Sequence, residues 1–180
     1  MANYKLVFTG PVGAGKTTAI ITLSDIAPIG TDASATDMTA NRKPQTTVAM
    51  DYGMMKINAT ERIHLYGTPG QERFDFMWEI LSEGGIGLVL MLDNSRSTAF
   101  QDLHFFLTAF KDFIQGRGVV IGITHMDSHP TPTINEYHAQ LQGTGLNPPI
   151  FEVDARNRAD MLTLIKSLLY SIDPGLEEHV

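Results

Sequence analysis

The residues best suited to chemistry stand near the start of the chain, where Gly10-Pro11-Val12-Gly13-Ala14-Gly15-Lys16-Thr17 fits the pattern G-x-x-x-x-G-K-[ST]. Gly10, Gly13 and Gly15 let the backbone turn its amides inward around phosphate oxygens, and a helix opening behind them adds partial positive charge. Lys16 supplies an ammonium for the outer phosphates, and the Thr17 hydroxyl supplies a ligand for Mg²⁺. Val12, Ala14 and Thr18 belong to the same cradle by position. The pattern predicts a site for a nucleoside triphosphate together with Mg²⁺.

Such a cradle needs a strand before it and a helix after it. Residues 4–9 read as a short apolar strand, and residues 16–26, with Ala19, Ile20, Leu23 and Ile26 in helical register, read as the helix. Residues 28–44 are polar, with a proline at each end and no periodicity, and read as a mobile loop. Residues 47–57 and 62–66 read as strands joined by the turn Asn58-Ala59-Thr60, so they should pair antiparallel. Residues 84–93 form a nearly unbroken apolar run, as in a strand buried on both faces of a parallel sheet. Residues 119–124 and 150–153 suggest two more strands of that sheet, while 98–114, 133–142 and 158–172 carry helical patterns. Alternating strands and helices predict an α/β architecture in three layers with right-handed crossovers.

The bulk numbers set limits on partners. A chain of 180 residues suits one domain, and 43% hydrophobic with 18% charged residues fits a packed core rather than a disordered chain. The net charge of -7 repels nucleic acid and anionic membrane surfaces alike, so neither is expected as the main partner. With no cysteine there is neither a disulfide nor a thiolate metal site, which suits a reducing cytosol. The opening residues resemble no signal peptide, and neither Met1-Ala2 nor the last five residues offer a lipidation motif, so no direct membrane anchor is expected.

A second motif, Gly67-Thr68-Pro69-Gly70-Gln71-Glu72-Arg73-Phe74, directly follows a strand. It resembles the D-T-A-G-Q-E-R-F sequence of Ras-like small GTPases, and other segments fall into the same order. Thr46-Thr47-Val48-Ala49-Met50-Asp51-Tyr52 resembles the segment where a threonine, here Thr47, closes over Mg²⁺ and the γ-phosphate. Thr124-His125-Met126-Asp127 stands where the family has N-K-x-D, and Asp154-Ala155-Arg156 resembles its S-A-K guanine loop. The resemblance is nearest to bacterial Ras-like proteins related to the gliding-motility GTPase. It implies a P-loop fold with a six-stranded, mostly parallel sheet whose second strand is antiparallel, GTP or GDP as ligand, Mg²⁺ as cofactor and a cytoplasmic location. It further implies a switch with slow hydrolysis, read by a regulatory or effector protein, which in the bacterial group is a roadblock-type regulator.

The same residues have a direct physical reading. The Gly70 amide can approach a γ-phosphate because no side chain intervenes. Gln71 beside it can orient an attacking water, catalysis by positioning. Asp127, at the C-terminal edge of the sheet, can accept the N1 and N2 hydrogens of guanine, a pair that adenine lacks. The Ala155 amide suits the guanine carbonyl oxygen.

Departures from the family pattern carry their own expectations. Gly67 replaces the aspartate that holds the Mg²⁺ shell through water, which should weaken the metal roughly 10- to 100-fold unless another acid substitutes. Neither Asp51 nor Asp93 is assigned that role by sequence. Thr124 and His125 leave guanine selection mainly to Asp127, and the bulk of Val12 obstructs an arginine delivered by a partner. His125 and His129 have the spacing of a helical metal pair, but Pro130 follows and a loop is expected. Phe74, Phe76, Met77, Trp78, Ile80 and Leu81 make the second motif a candidate partner surface, while Arg42 and Arg73 read as surface arginines. Two rivals stay open: a nucleotide-holding adaptor without hydrolysis, and a P-loop kinase or ATPase. The kinase reading suffers from the scarcity of basic residues between 84 and 116, where only Arg96 and Lys111 stand.

Overall fold

The computed structural model describes residues 2–27, 29–30, 51–70 and 82–173. Seven strands form one sheet: β1 (Ala2–Thr9), β2 (Ile29–Gly30), β3 (Asp51–Lys56), β4 (Glu61–Gly67), β5 (Gly87–Asp93), β6 (Gly118–Thr124) and β7 (Ile150–Glu152), in the order β2-β3-β4-β1-β5-β6-β7. β1 lies parallel between β4 and β5, and β6 and β7 extend the parallel run. Only β3 runs against the others, pairing antiparallel with β4 and with β2. The six expected strands and the antiparallel second one are all present. β2 is an addition, since Ile29 and Gly30 pair with Tyr52 and Asp51 inside the stretch read as a loop. Two residues of edge pairing need backbone hydrogen bonds alone and leave no hydrophobic pattern to find.

The helices are α1 (Lys16–Leu23), α2 (Ala99–Ala109), α3 (Lys111–Ile114), α4 (Ile134–Gln140) and α5 (Arg158–Ile172). One face of the sheet packs Phe8, Val89, Met91 and Val120 against α1 and α5, through Ile20, Leu164, Ile165 and Leu168. The other face packs Val7, Leu88, Leu90 and Ile123 against α2, α3 and α4, through Leu103, Phe106, Phe113 and Tyr137. All seven residues of β5 are buried, which is why that segment is apolar without alternation.

Two helices differ from the periodicity. The stripe over 98–114 is broken at Phe110 (φ -97, ψ 14), so α2 and α3 are separate although Phe106, Phe110 and Phe113 share one core. α1 stops at Leu23 instead of Ile26, because Ser24 turns its hydroxyl to the backbone: it donates to the Ile26 carbonyl at 2.8 Å and accepts from the Met54 amide at 3.2 Å. The turn at 58–60 forms as expected, with the Asn58 Oδ1 accepting from the amides of Thr60 (2.9 Å) and Glu61 (3.0 Å). α4 opens on a capping box between Thr133 and Glu136.

Close packing of α5 on the sheet rests on glycines in β6. A Cβ at Gly122 would stand 2.8 Å from Leu164 Cδ1 and 3.1 Å from Val153 Cγ2. Gly122→Val is therefore expected to lower stability by about 1–3 kcal/mol, read as an earlier denaturant midpoint at unchanged slope.

Candidate functional site

The loop between β1 and α1 is shaped by three left-handed glycines, with φ of 135 at Gly10, 86 at Gly13 and 92 at Gly15. At Gly10 the fit against β5 is extreme: a Cβ would lie 1.9 Å from the Met91 carbonyl oxygen. Gly15 is the N-cap of α1, with no side-chain cap and no acidic residue in the first turn, so the positive end of the helix stays open to an anion. Lys16 is buried, and its Nζ donates to the carbonyls of Gly10 and Pro11, both at 2.7 Å. Burial lowers its pKa to about 8, against the opposing pull of the Asp51 carboxylate. Gly70 rests on this loop: a Cβ there would be 2.6 Å from the Val12 nitrogen and 2.9 Å from Lys16 Nζ. The Val12 side chain is exposed.

Asp51 is one of the two acids that the sequence leaves unassigned. The antiparallel ladder sets it directly opposite Gly67. Its carboxylate Oδ2 accepts from the Thr17 hydroxyl at 2.5 Å. A Cβ at Gly67 would sit 3.1 Å from Asp51 Cβ and 3.3 Å from Asp51 Oδ2. The space a side chain at 67 would occupy is thus filled from the neighbouring strand, and an acid does stand beside the threonine. The signal that pointed there was the pair itself, a missing carboxylate on one strand and an extra one at the start of its hairpin partner.

On the other side of the loop lies an open cavity of about 720 Å³, lined by Gly13, Gly15 and Thr18, by Thr124, His125 and Asp127, and by Asp154, Ala155 and Arg156. Three separate segments of sequence are brought together here. Gly15 abuts the other two loops, since a Cβ on it would be 3.0 Å from Ala155 Cβ and 3.7 Å from Thr124 Cγ2. The Thr124 hydroxyl is buried and directed at the carbonyls of Leu92 (3.0 Å) and Ala14 (3.3 Å), so it ties the segment to the glycine loop. Asp127 is exposed, with the Ser128 hydroxyl donating to its Oδ1 at 3.3 Å.

Asp154 and Arg156 satisfy one another. Arg156 Nη2 donates to Asp154 Oδ2 at 2.8 Å and Nε to Oδ1 at 2.9 Å, and this pairing holds the Asp154 carboxyl down at about 2. Their charges cancel at the rim, which leaves Ala155 as the member of the trio set into the wall. His125 and His129 do not converge: the His125 Nδ1 meets Asp93 Oδ1 at 3.0 Å, whereas the His129 Nδ1 meets the Ser128 hydroxyl at 3.1 Å. Among the described residues no group of three or more His, Cys, Asp or Glu side chains is arranged to hold a metal. Thr47 and Gln71, together with Arg42, Arg73 and the apolar residues 74–81, lie outside the described residues.

The Asp51 geometry makes a specific swap informative. Gly67 has ordinary backbone angles, so Gly67→Asp fails through crowding alone, with Ile20 Cδ1 2.9 Å from the new Cβ and a second carboxylate against Asp51. The single variant is expected to melt lower, and Gly67→Asp combined with Asp51→Gly to recover the part of the loss due to Asp51, a non-additivity of about 1 kcal/mol or more between contacting residues.

Comparison with known proteins bears on this geometry. The family described as "conserved hypothetical ATP binding protein" matches residues 29–143. The uncharacterized protein MJ1339 of Methanocaldococcus jannaschii is 41% identical over 56 residues, 31% of this chain and 36% of that protein. The Ras-related protein Rab-44 of Mus musculus is 30% identical over 128 residues, 69% of this chain and 12% of that protein. The chain therefore spans about a third of the length of one relative and about an eighth of the other. With a glycine loop at the end of β1, a helix opening behind it and a family match over more than half its length, this chain belongs to the conserved hypothetical ATP-binding family of P-loop nucleotide-binding proteins.

Proposed function

We propose that the chain binds GTP and GDP with Mg²⁺, hydrolyses GTP slowly, and signals its nucleotide state to a protein partner. The observation that carries this reading is that one cavity joins the glycine loop, at Gly13 and Gly15, to a carboxylate at Asp127 and the backbone of Ala155. A triphosphate on the loop would lead its base into that cavity. There Asp127 would accept from guanine N1 and N2, and Ala155 would face its carbonyl oxygen.

Gly10, Gly13, Ala14, Gly15 and Thr18 would cradle the phosphates, and Lys16 would neutralise the outer ones. Thr17 and Asp51 fit Mg²⁺ by donor chemistry, two hard oxygen ligands beside the phosphate cradle. Bound there, the ion would neutralise charge that builds on the β- and γ-phosphate oxygens. Gly70, close to Val12 and Lys16, would give its amide to the terminal phosphate. Thr47 would close over the ion and Gln71 would orient the attacking water. The kinship with bacterial gliding-motility GTPases, the roadblock-type regulator and the cytoplasmic location are parts of the same proposal. Among the described residues no helix is long and apolar enough to cross a membrane.

A second reading, ATP as the preferred nucleotide, is favoured by the description of the matching family. Titration calorimetry of GTP, GDP and ATP at fixed Mg²⁺ decides between the two. A guanine preference on the order of 10³-fold is expected from a carboxylate left unpaired by the wrong base, and Asp127→Asn should transfer that preference to xanthosine triphosphate, whose base presents a carbonyl where guanine has an amine. Tighter ATP binding would remove the role given to Asp127.

Hydrolysis is tested by single-turnover phosphate release, which Gln71→Ala should slow at least tenfold. No release by the wild type with GTP bound would favour a nucleotide-holding adaptor.

Lys16 imposes a pH dependence. Its folded value near 8 lies below the ordinary 10.5, so between those limits the unfolded chain binds more protons, and the stability of the nucleotide-free protein gains from Lys16 as pH rises through that window. Nucleotide affinity runs the other way, because the polyphosphate needs the ammonium. Affinity should fall above pH 8 by up to about tenfold per unit, and Lys16→Met should flatten the profile.

A further inference from the structure

Asp93 ends β5 and Asn94 follows it, two consecutive polar residues that are both buried. Nothing in the phosphate chemistry uses them. Asp93 Oδ1 accepts from the Ser95 amide at 2.9 Å and the Ser95 hydroxyl at 2.6 Å, which fixes the carboxylate, and it meets His125 Nδ1 at 3.0 Å. His125 has φ 62, the one left-handed residue other than glycine among the described residues. Such a conformation persists where its surroundings impose it.

The Thr124 hydroxyl, 3.2 Å from the same ring nitrogen, donates to backbone carbonyls and so presents a lone pair. Two acceptors at Nδ1 place the proton there, leaving Nε2 as the acceptor nitrogen of the ring.

Asn94 does the corresponding task at the far end of the same loop. Its Nδ2 donates to the carbonyls of His129 (2.6 Å) and Pro132 (2.9 Å), its Oδ1 accepts from the Tyr137 hydroxyl at 2.7 Å, and its amide donates to the Thr124 carbonyl at 3.0 Å. Tyr137 is fully buried. A buried polar network with every member paired fixes one backbone shape, whereas apolar residues of the same size would leave the loop several. The segment so held, residues 125–133, is the one that carries Asp127.

We propose that Asp93 and Asn94 form a clamp that presets the loop bearing Asp127, and that Asp93 is a positioning residue acting through His125 to set affinity for the purine base. The proposal rests on the reading of the cavity as the base site. It assigns the clamp to base recognition and not to phosphate binding, although Asp93 lies close to the glycine loop, its Oδ2 3.9 Å from where a Cβ on Gly13 would be.

The test is titration calorimetry on the full chain at fixed Mg²⁺ with two probes, GTP and inorganic tripolyphosphate, the second lacking a base. Variants are Asp93→Ala, His125→Gly, the two combined, and Tyr137→Phe. Glycine is chosen at 125 because it adopts the left-handed backbone freely. Asp93→Ala is expected to weaken GTP about tenfold and leave tripolyphosphate unchanged, as for a lost buried hydrogen bond. Added to His125→Gly it should cause no further loss, since the two act as one unit. Tyr137→Phe should weaken GTP about threefold with tripolyphosphate again spared, and it carries the test should Asp93→Ala not fold.

Equal weakening of both probes, or independent effects of Asp93→Ala and His125→Gly, would overturn the clamp. So would full GTP affinity in Asp93→Ala while the wild type prefers GTP over tripolyphosphate, and in that case the base site survives. If wild-type GTP binds no tighter than tripolyphosphate, the base-site reading falls and the clamp with it.

Discussion

The parallel ladder that joins β1 to β5 and β5 to β6 is the constraint from which the site follows. Residue 9 at the end of β1 is paired with Leu90, and residue 124 at the end of β6 with Asp93, so the strands finish along one edge and release their loops on the same side. Main-chain pairing cannot by itself hold those loops together; the approach of Gly10 to the Met91 carbonyl and the Thr124 hydroxyl on the Ala14 carbonyl do so. Any side chain at residue 10 would lift the loop off β5. With it would go the abutment of Gly15 on Ala155 and Thr124 that closes the cavity.

Around that edge, side-chain positions matter less than the space they reach. The acid next to Thr17 comes from β3, although the small-GTPase motif that the chain resembles would place one on β4, and antiparallel register is what makes the exchange possible. Opposed residues of two strands lie within a few ångströms, so a carboxylate on one can reach into the volume left by a glycine on the other. Gly67 is then no simple loss, because the glycine is what gives Asp51 its room. The same economy of position holds at the rim, where Asp154 and Arg156 neutralise each other and leave the shorter Ala155 against the glycine loop.

The two faces of the sheet have different duties. α1 and α5 pack on one side as a continuous apolar layer, with Arg158 donating to the carbonyls of Thr22 and Leu23 at the end of α1. The opposite side is largely apolar too, but its layer contains the Asn94–Tyr137 contact. Polar groups inside a core are tolerated when each is paired, and here the pairs run directly from the core to the loop above the sheet edge.

The sequence alone determined the strand, loop and helix around Lys16, the six principal strands, the antiparallel hairpin around Asn58, and the kind of residues that meet at the edge. These are local matters: glycine spacing, apolar runs and turn residues act over a few positions, and their periodicity is printed in the chain. The break at Phe110, the early end of α1 at Ser24 and the two-residue β2 were decided by contacts elsewhere in the chain, or by a local competition of side chain with backbone that leaves no period. Only the tertiary structure decided that Asp51 meets the Thr17 hydroxyl, that Asp154 and Arg156 pair with one another, and that Asp93 holds His125. Each of these joins residues through register or through a cavity wall, and such a relation is a distance in space that linear spacing does not encode.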